Sequence, residues 1–146
     1  MADNLLEMIV FGRPATVNRK GPKSLKAIWQ SKVFNSASAE YTGMQVKYKT
    51  TFKIFYFPHN NSYSDVDNGL KFTIDALAPV VMENDRQITR IIAERFVKEP
   101  GKSLVVPLSL APSIAKILEI RENNSPAEYI TLIKLEKYKC NGGKLW

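Results

Sequence analysis

The sequence predicts an α+β fold, a single small domain in which a mixed β-sheet packs with helices. Three observations carry that prediction. Apolar and polar residues alternate through Lys47-Tyr48-Lys49-Thr50-Thr51-Phe52-Lys53-Ile54, the period of a strand. Apolar residues recur at helical intervals in Leu25, Ile28, Trp29, Val33 and Phe34, and again in Leu70, Ile74 and Leu77. The 146 residues are enough for one hydrophobic core and too few for a comfortable second one.

In chain order, the apolar run Leu5 to Phe11 reads as a first strand stopped by Gly12 and Pro14. The loop that follows collects Arg13, Arg19, Lys20 and Lys23 around Asn18, Gly21 and Pro22. Such a loop tracks phosphates or is a solvated surface segment, and composition fits both. Ser24 to about Tyr41 reads as an amphipathic helix ended by Gly43, with Trp29 either in the core or stacking on an unpaired base. In a second strand from Gln45 to Phe57, Tyr48, Phe52, Ile54 and Tyr56 face a core. Lys47, Lys49 and Lys53 then line the other face, as a phosphate-contacting stripe or as the lysines with which a strand resists edge pairing.

Pro58 to Ser64 is a polar loop leading into Asp65-Val66-Asp67-Asn68. Helical spacing then runs from Leu70 to Pro79, with Asp67 or Asn68 as its natural N-cap. Ile88 to Val97 returns to β-like spacing and carries Asp85 at its entrance. Pro100-Gly101 is a break, Leu104 to Leu110 a short apolar run, and Pro112 to Arg121 a helix through Ile114, Ile117 and Leu118. Asn123-Asn124-Ser125-Pro126 reads as a turn, Tyr129 to Tyr138 as the last strand, and Cys140 to Trp146 as a tail whose glycines favour mobility. Residues 1–146 therefore form one domain, Pro100 being the sole candidate boundary.

Lys and Arg number 21 against 14 Asp and Glu, so the chain carries a formal charge of +7. With a pI of 9.5 it favours anionic partners. No apolar run approaches the ~20 residues of a spanning helix, and Met1-Ala2-Asp3-Asn4 lacks the start of a signal peptide, so a cytoplasmic location without membrane contact is expected. Cys140 is the single cysteine, which rules out an internal disulfide and fits a reducing compartment. With one cysteine and His59 as the one histidine, structural zinc has no ligand set. Neither a Walker A loop nor G-x-G-x-x-G is present, which leaves no nucleotide cofactor.

Against this basic background the acids Asp65, Asp67, Asp75 and Asp85 concentrate in mid-chain. Two carboxylates one residue apart repel unless a cation sits between them, and a hard divalent ion is the usual cation for an all-oxygen site. Asp65 and Asp67 can point the same way from an extended segment, and Asp85 joins them if its strand lies beside the helix entrance. Mg²⁺, or Mn²⁺ in its place, then serves phosphodiester hydrolysis, with Lys71 stabilising charge that develops on phosphorus. The alternative is that Asp65 and Asp67 cap a helix, Lys71 and Asp75 form an i,i+4 pair, and Asp85 sits in a turn. A calcium loop of the EF-hand kind fails on spacing, since Ala76 stands where the bidentate Glu belongs.

Asp65-Val66-Asp67-Asn68-Gly69-Leu70-Lys71, then Asp75-Ala76-Leu77, then Asp85-Arg86-Gln87-Ile88, resembles the RusA family of Holliday junction resolvases. The pattern D-x-D-N-x-x-K-x-x-x-D-x-L followed by an acid before an apolar strand is specific, and the resemblance runs in order from Leu6 to Val97. It implies a small α+β homodimer that cleaves four-way DNA junctions with Mg²⁺ or Mn²⁺ by paired nicks, in DNA recombination and repair, in a bacterial or bacteriophage setting. It implies that Asp65, Asp67 and Asp85 bind the catalytic metal, that Lys71 is required for cleavage, and that Asp75 and Asn68 support them. DNA contacts are expected from Arg13, Asn18, Arg19, Lys20, Lys23, Lys47, Lys49 and Lys53. Two features depart from the family: Asn84 stands where a second acid is common, and the segment around 98–126 is longer than its compact pattern needs. A branched-DNA or RNA binding module with structural acids is the competing reading.

Overall fold

The computed structural model describes residues 3–15, 23–58, 66–67, 69–97, 100–123, 129–140 and 142–143. In chain order these form β1 (Asn4–Phe11), α1 (Lys23–Glu40), β2 (Thr50–Phe57), α2 (Leu70–Val81), β3 (Ile88–Arg95), α3 (Ala111–Asn123) and β4 (Ile130–Lys137). Single turns of 3-10 helix stand at Asp85–Gln87 and Leu108–Leu110. The four strands make one sheet in the order β1-β4-β2-β3. β4 runs antiparallel to both β1 and β2, whereas β2 and β3 are parallel. A parallel pair needs a crossover, and α2 is that crossover. The described residues thus form a small α+β domain with a mixed four-stranded sheet and three helices.

β2 lies inside the sheet and is buried on both faces. Phe52, Ile54 and Tyr56 join Leu6, Met8, Val10, Ile133 and Leu135 in a core closed by Trp29, Val33 and Ala37 of α1 and by Leu77 and Val81 of α2. Phe55 and Phe57 belong to a second cluster with Phe96, Leu110, Ile117, Ile130 and Leu132, which α3 covers. The Phe57 and Phe96 rings stack there at 5.2 Å.

Four expectations need correction. The helical face expected from Leu25, Ile28, Trp29, Val33 and Phe34 is narrower: Leu25, Ile28 and Phe34 stay 37%, 54% and 50% exposed. Burial follows Trp29, Val33 and Ala37, an i, i+4, i+8 stripe, because α1 rests mainly on β1 and α2. The second strand begins at Thr50, not Gln45. Gln87 donates through Nε2 to the carbonyls of Val46 and Tyr48, both at 2.9 Å, and so occupies acceptors that strand pairing would use. The lysine row fails with it. Lys47 and Lys49 precede the strand, Lys47 lies 3.7 Å from Glu83, and Lys53 is paired at 2.9 Å with Glu136 of β4. Tyr48, expected in the core, is 36% exposed. The turn at 124–126 and most of the glycine-containing tail lie outside the described residues.

The end of β1 depends on Gly12. Its φ of +114° is one that L side chains rarely adopt, and an added Cβ would stand 3.1 Å from Lys32 Nζ, which itself donates to the Phe11 carbonyl at 3.0 Å. Gly12→Ala is expected to lower stability by about 1–3 kcal/mol, measurable as a shift in the urea midpoint.

Candidate active site

The residues singled out in the acid motif are arranged around α2. Asp67 stands in the turn before the helix, its carbonyl accepting from the Leu70 N–H at 3.2 Å. Gly69, not Asp67, is the N-cap, and no side chain caps the helix. The capping role expected of Asp67 is therefore corrected: its main chain closes the turn, and its exposed carboxylate is not spent on the helix end. Asp65 and Asn68 lie outside the described residues, as do Asn18, Arg19 and Lys20.

Several buried contacts hold this turn. Gly69 is packed beneath Pro14, whose Cβ would be 2.8 Å from a Cβ added at Gly69. Thr73 Oγ1 donates to the Gly69 carbonyl at 2.7 Å and accepts from Trp29 Nε1 at 2.9 Å. Gln30 Nε2 adds a 3.1 Å bond to the Phe72 carbonyl, so α1 holds the first turn of α2 at two points. Trp29 is 3% exposed, which makes it core and removes it as a base-stacking platform. Gly69→Ala is expected to displace Pro14 or the Asp67 turn and to slow DNA cleavage about tenfold more than it weakens DNA binding, a kcat effect in single-turnover assays.

Tyr56, at the end of β2, reaches the same turn and donates its hydroxyl to the Val66 carbonyl at 3.0 Å. Burial raises its pKa far above the ordinary tyrosine value, and the nearby charges of Tyr129 and Asp67 add to the rise. The phenol therefore remains a donor. Burial also raises Tyr129, while Arg13 and Arg95 act to lower it, so two guanidinium groups share this end of the sheet with Asp67. Tyr56 and Arg95 were not among the site residues expected from sequence. For Tyr56 a signal existed: a tyrosine among Phe52, Phe55 and Phe57 carries a hydroxyl that needs a partner once buried.

The raised tyrosines have a consequence at high pH. Above the ordinary value of 10.0 the unfolded chain releases phenolic protons that the native chain retains, so stability is full below that value and declines as pH rises through it. Urea midpoints at about pH 9 and about pH 11 are expected to show the decline, and Tyr56→Phe should make it shallower. That variant should also lose about 1 kcal/mol near neutrality with its hydrogen bond.

Lys71 and Asp75 lie on the exposed side of α2 and pair at 3.5 Å, the i,i+4 contact expected as the simpler role for both. Asp85 is elsewhere. It opens the 3-10 turn after α2, at the strand entrance expected for it, and is exposed. Asn84 caps that turn: its side chain accepts from Arg86 N at 2.9 Å while Gln87 Oε1 accepts from Asn84 N at 3.0 Å. The departure from two consecutive acids thus gives the turn a capping box. The twelve residues of α2 separate Asp67 from Asp85, a helix length of roughly 18 Å. The condition on which Asp85 would join Asp65 and Asp67 within one chain, a strand beside the helix entrance, is not met, because the parallel crossover starts α2 at one end of the sheet and ends it at the other.

The donor chemistry of Asp67 and Asp85, carboxylate oxygen with nothing softer, suits a hard divalent cation. Within one chain, however, no group of three or more His, Cys, Asp or Glu that could hold a metal forms among the described residues.

The family model of Endodeoxyribonuclease RusA matches residues 12–107, about two thirds of the chain, and takes in both ends of α2. The chain belongs to the RusA endodeoxyribonuclease family. It is a nuclease, and DNA is the class of molecule it acts on. The RusA match stops before α3 and β4. No curated protein matches the chain at a significant level. Among the described residues no helix is long and apolar enough to cross a membrane.

Proposed function

We propose that this RusA-family nuclease resolves four-way DNA junctions as a homodimer, using Mg²⁺ or Mn²⁺, and that each of its two sites combines acids from both chains. One observation carries the reading: exposed Asp67 and exposed Asp85 stand at opposite ends of α2. In a two-fold dimer with antiparallel α2 ends, the Asp67 end of one copy meets Asp85 of the partner subunit, and symmetry repeats the meeting. Asp65 and Asp67 from one chain and Asp85 from the other would hold the ion. Such an ion supplies Lewis-acid polarisation of the scissile phosphate and of an attacking water.

The chain's own residues do the rest. Tyr56 and the Trp29–Thr73–Gly69 contacts fix the turn that carries Asp67, and Lys71 brings positive charge to where negative charge grows on phosphorus. In the ground state Asp75 holds Lys71 in place. Attack of water forms a new P–O bond, the bond to the 3′ oxygen breaks, and the products are a 5′-phosphate and a 3′-hydroxyl. Two such nicks in opposed strands match the two-fold character of the junction. This activity places the protein in recombination and repair in the cytoplasm of a bacterium, or as a bacteriophage product. Residues 98–126 act as an addition to one domain, their α3 covering the second sheet face.

The competing reading, a binding module with structural acids, has less support. No salt bridge engages Asp67 or Asp85 among the described residues, so charge pairing among those residues does not account for either carboxylate. The deciding assay incubates the protein with a synthetic mobile junction in Mg²⁺, Mn²⁺ or chelator. Symmetric paired nicks in metal and none in chelator are expected, whereas salt-sensitive binding without nicking in either metal would favour the binding module.

A further inference from the structure

The end of the sheet at which β2 and β3 begin carries a basic surface of which sequence reasoning singled out Lys53 alone. A recess of about 350 Å³ there is lined by Lys53, Arg90, Lys137 and Lys139 together with Asp3 and Glu136. The two acids are already engaged, Glu136 by Lys53 at 2.9 Å and Asp3 by Lys139. Arg90 and Lys137 meet ring faces instead: the guanidinium lies 4.9 Å from the Tyr138 centroid and the Lys137 ammonium 5.0 Å from that of Tyr48. Arg90 Nη1 also approaches the Lys139 carbonyl at 3.4 Å, a long contact. A ring face steadies a cation without consuming its N–H donors, so both exposed side chains keep donors for an anion. Lys134, the cross-strand partner of Lys53, adds a further cation nearby. The recess shares its end of the sheet with Asp85, since Thr50 pairs with Ile88 and its hydroxyl approaches the Gln87 carbonyl at 3.4 Å.

We propose that this recess binds the phosphate backbone of a duplex DNA arm leaving the Asp85 end of the nuclease site, with Arg90 and Lys137 as the contacting pair. The proposal rests on the nuclease reading above and names a surface that holds its substrate. Duplex is favoured over single strand because the two rings that could stack on unpaired bases are covered by the cations. Contacts of this kind fix position and add affinity without reading sequence.

The test uses Asp67→Asn protein, so that DNA stays intact, and measures binding to a labelled four-way junction and to linear duplex across a salt series. Arg90→Glu with Lys137→Glu is expected to weaken binding to both by about tenfold or more, and to reduce the slope of log affinity against log salt by about 0.9 for each phosphate that is no longer neutralised. Lys116→Glu on α3 makes the same charge change as Arg90→Glu away from the recess and should cost less than about twofold. Single Arg90→Gln and Lys137→Gln variants, with unchanged melting temperatures, keep the result independent of folding and of added negative charge. Binding by the double variant equal to that of its parent, or an equal loss in Lys116→Glu, overturns the proposal. Cleavage of junctions by the wild type alongside unchanged binding by the double variant removes the recess alone. Weakened binding without any wild-type cleavage of junctions removes the junction-resolving reading and leaves the recess as a duplex-binding surface.

Discussion

Mixing Asp67→Asn with Asp85→Asn protein is expected to restore junction nicking that neither has alone. On the proposed shared site, each variant would lack one carboxylate of the metal-binding set at both sites, and its single-turnover rate should fall by roughly 10³-fold, about 4 kcal/mol. If each site draws Asp67 from one chain and Asp85 from the other, a mixed dimer carries one doubly altered site and one intact site. Random exchange makes about half the dimers mixed, so roughly a quarter of the wild-type sites return, and those dimers place one nick instead of two. If both acids served the same chain's site, every site in the mixture would lack one ligand. A mixture as inactive as its parents, with subunit exchange verified by a tagged pull-down, would therefore retire the shared site. Junction binding by each single variant should remain within about twofold of wild type, since removing a carboxylate does not weaken contacts to a polyanion.

The second large effect is on stability. Trp29→Ala is expected to cost about 3–5 kcal/mol, read from urea denaturation. The side chain is 3% exposed, lies between the sheet and α2, and supplies the donor for Thr73, which is itself fully buried. A domain of this kind has a total stability of only about 5–15 kcal/mol, so the variant should be largely unfolded at modest denaturant. Trp29→Phe separates the contributions: most of the packing stays while one buried hydrogen bond is removed, and about 1 kcal/mol should follow. Its nicking rate should drop by more than its stability loss predicts, because the Thr73 hydroxyl also donates to the Gly69 carbonyl at the start of α2. A Trp29→Phe protein with unchanged kcat would show that this hydrogen bond supports the fold without positioning Asp67.

The elements with strong local periodicity were legible in the sequence. The run Leu5 to Phe11, the helical spacing through Leu70 and Leu77, and the β-branched stretch near the C-terminus correspond to β1, α2 and β4. Apolar spacing reports which face a residue shares, and that is a local property. The same signal misled where a neighbour distant in sequence decided the outcome. Lys53 looked like part of a solvent-facing row, yet Glu136, 83 residues away, pairs with it. Tyr48 looked like core, but the Gln87 amide takes the carbonyl on which its extended pairing depends.

The site divides in the same way. Composition and the spacing of Asp65, Asp67, Lys71, Asp75 and Asp85 were enough to point to metal-assisted chemistry on a polyanion, because residue types and their order along the chain are all that such a reading needs. An α+β domain, the acid motif at the entrance to α2 and the family to which the chain belongs could all be read from residue order. Tertiary packing was needed to show that Asp67 and Asp85 stand a helix length apart, that Tyr56 holds the turn that carries Asp67, and that Arg90 and Lys137 line a recess at the Asp85 end of the sheet. The physical reason is the crossover: two parallel strands require α2 to traverse the sheet from one end to the other, and acids close in sequence are thereby carried to opposite ends of it.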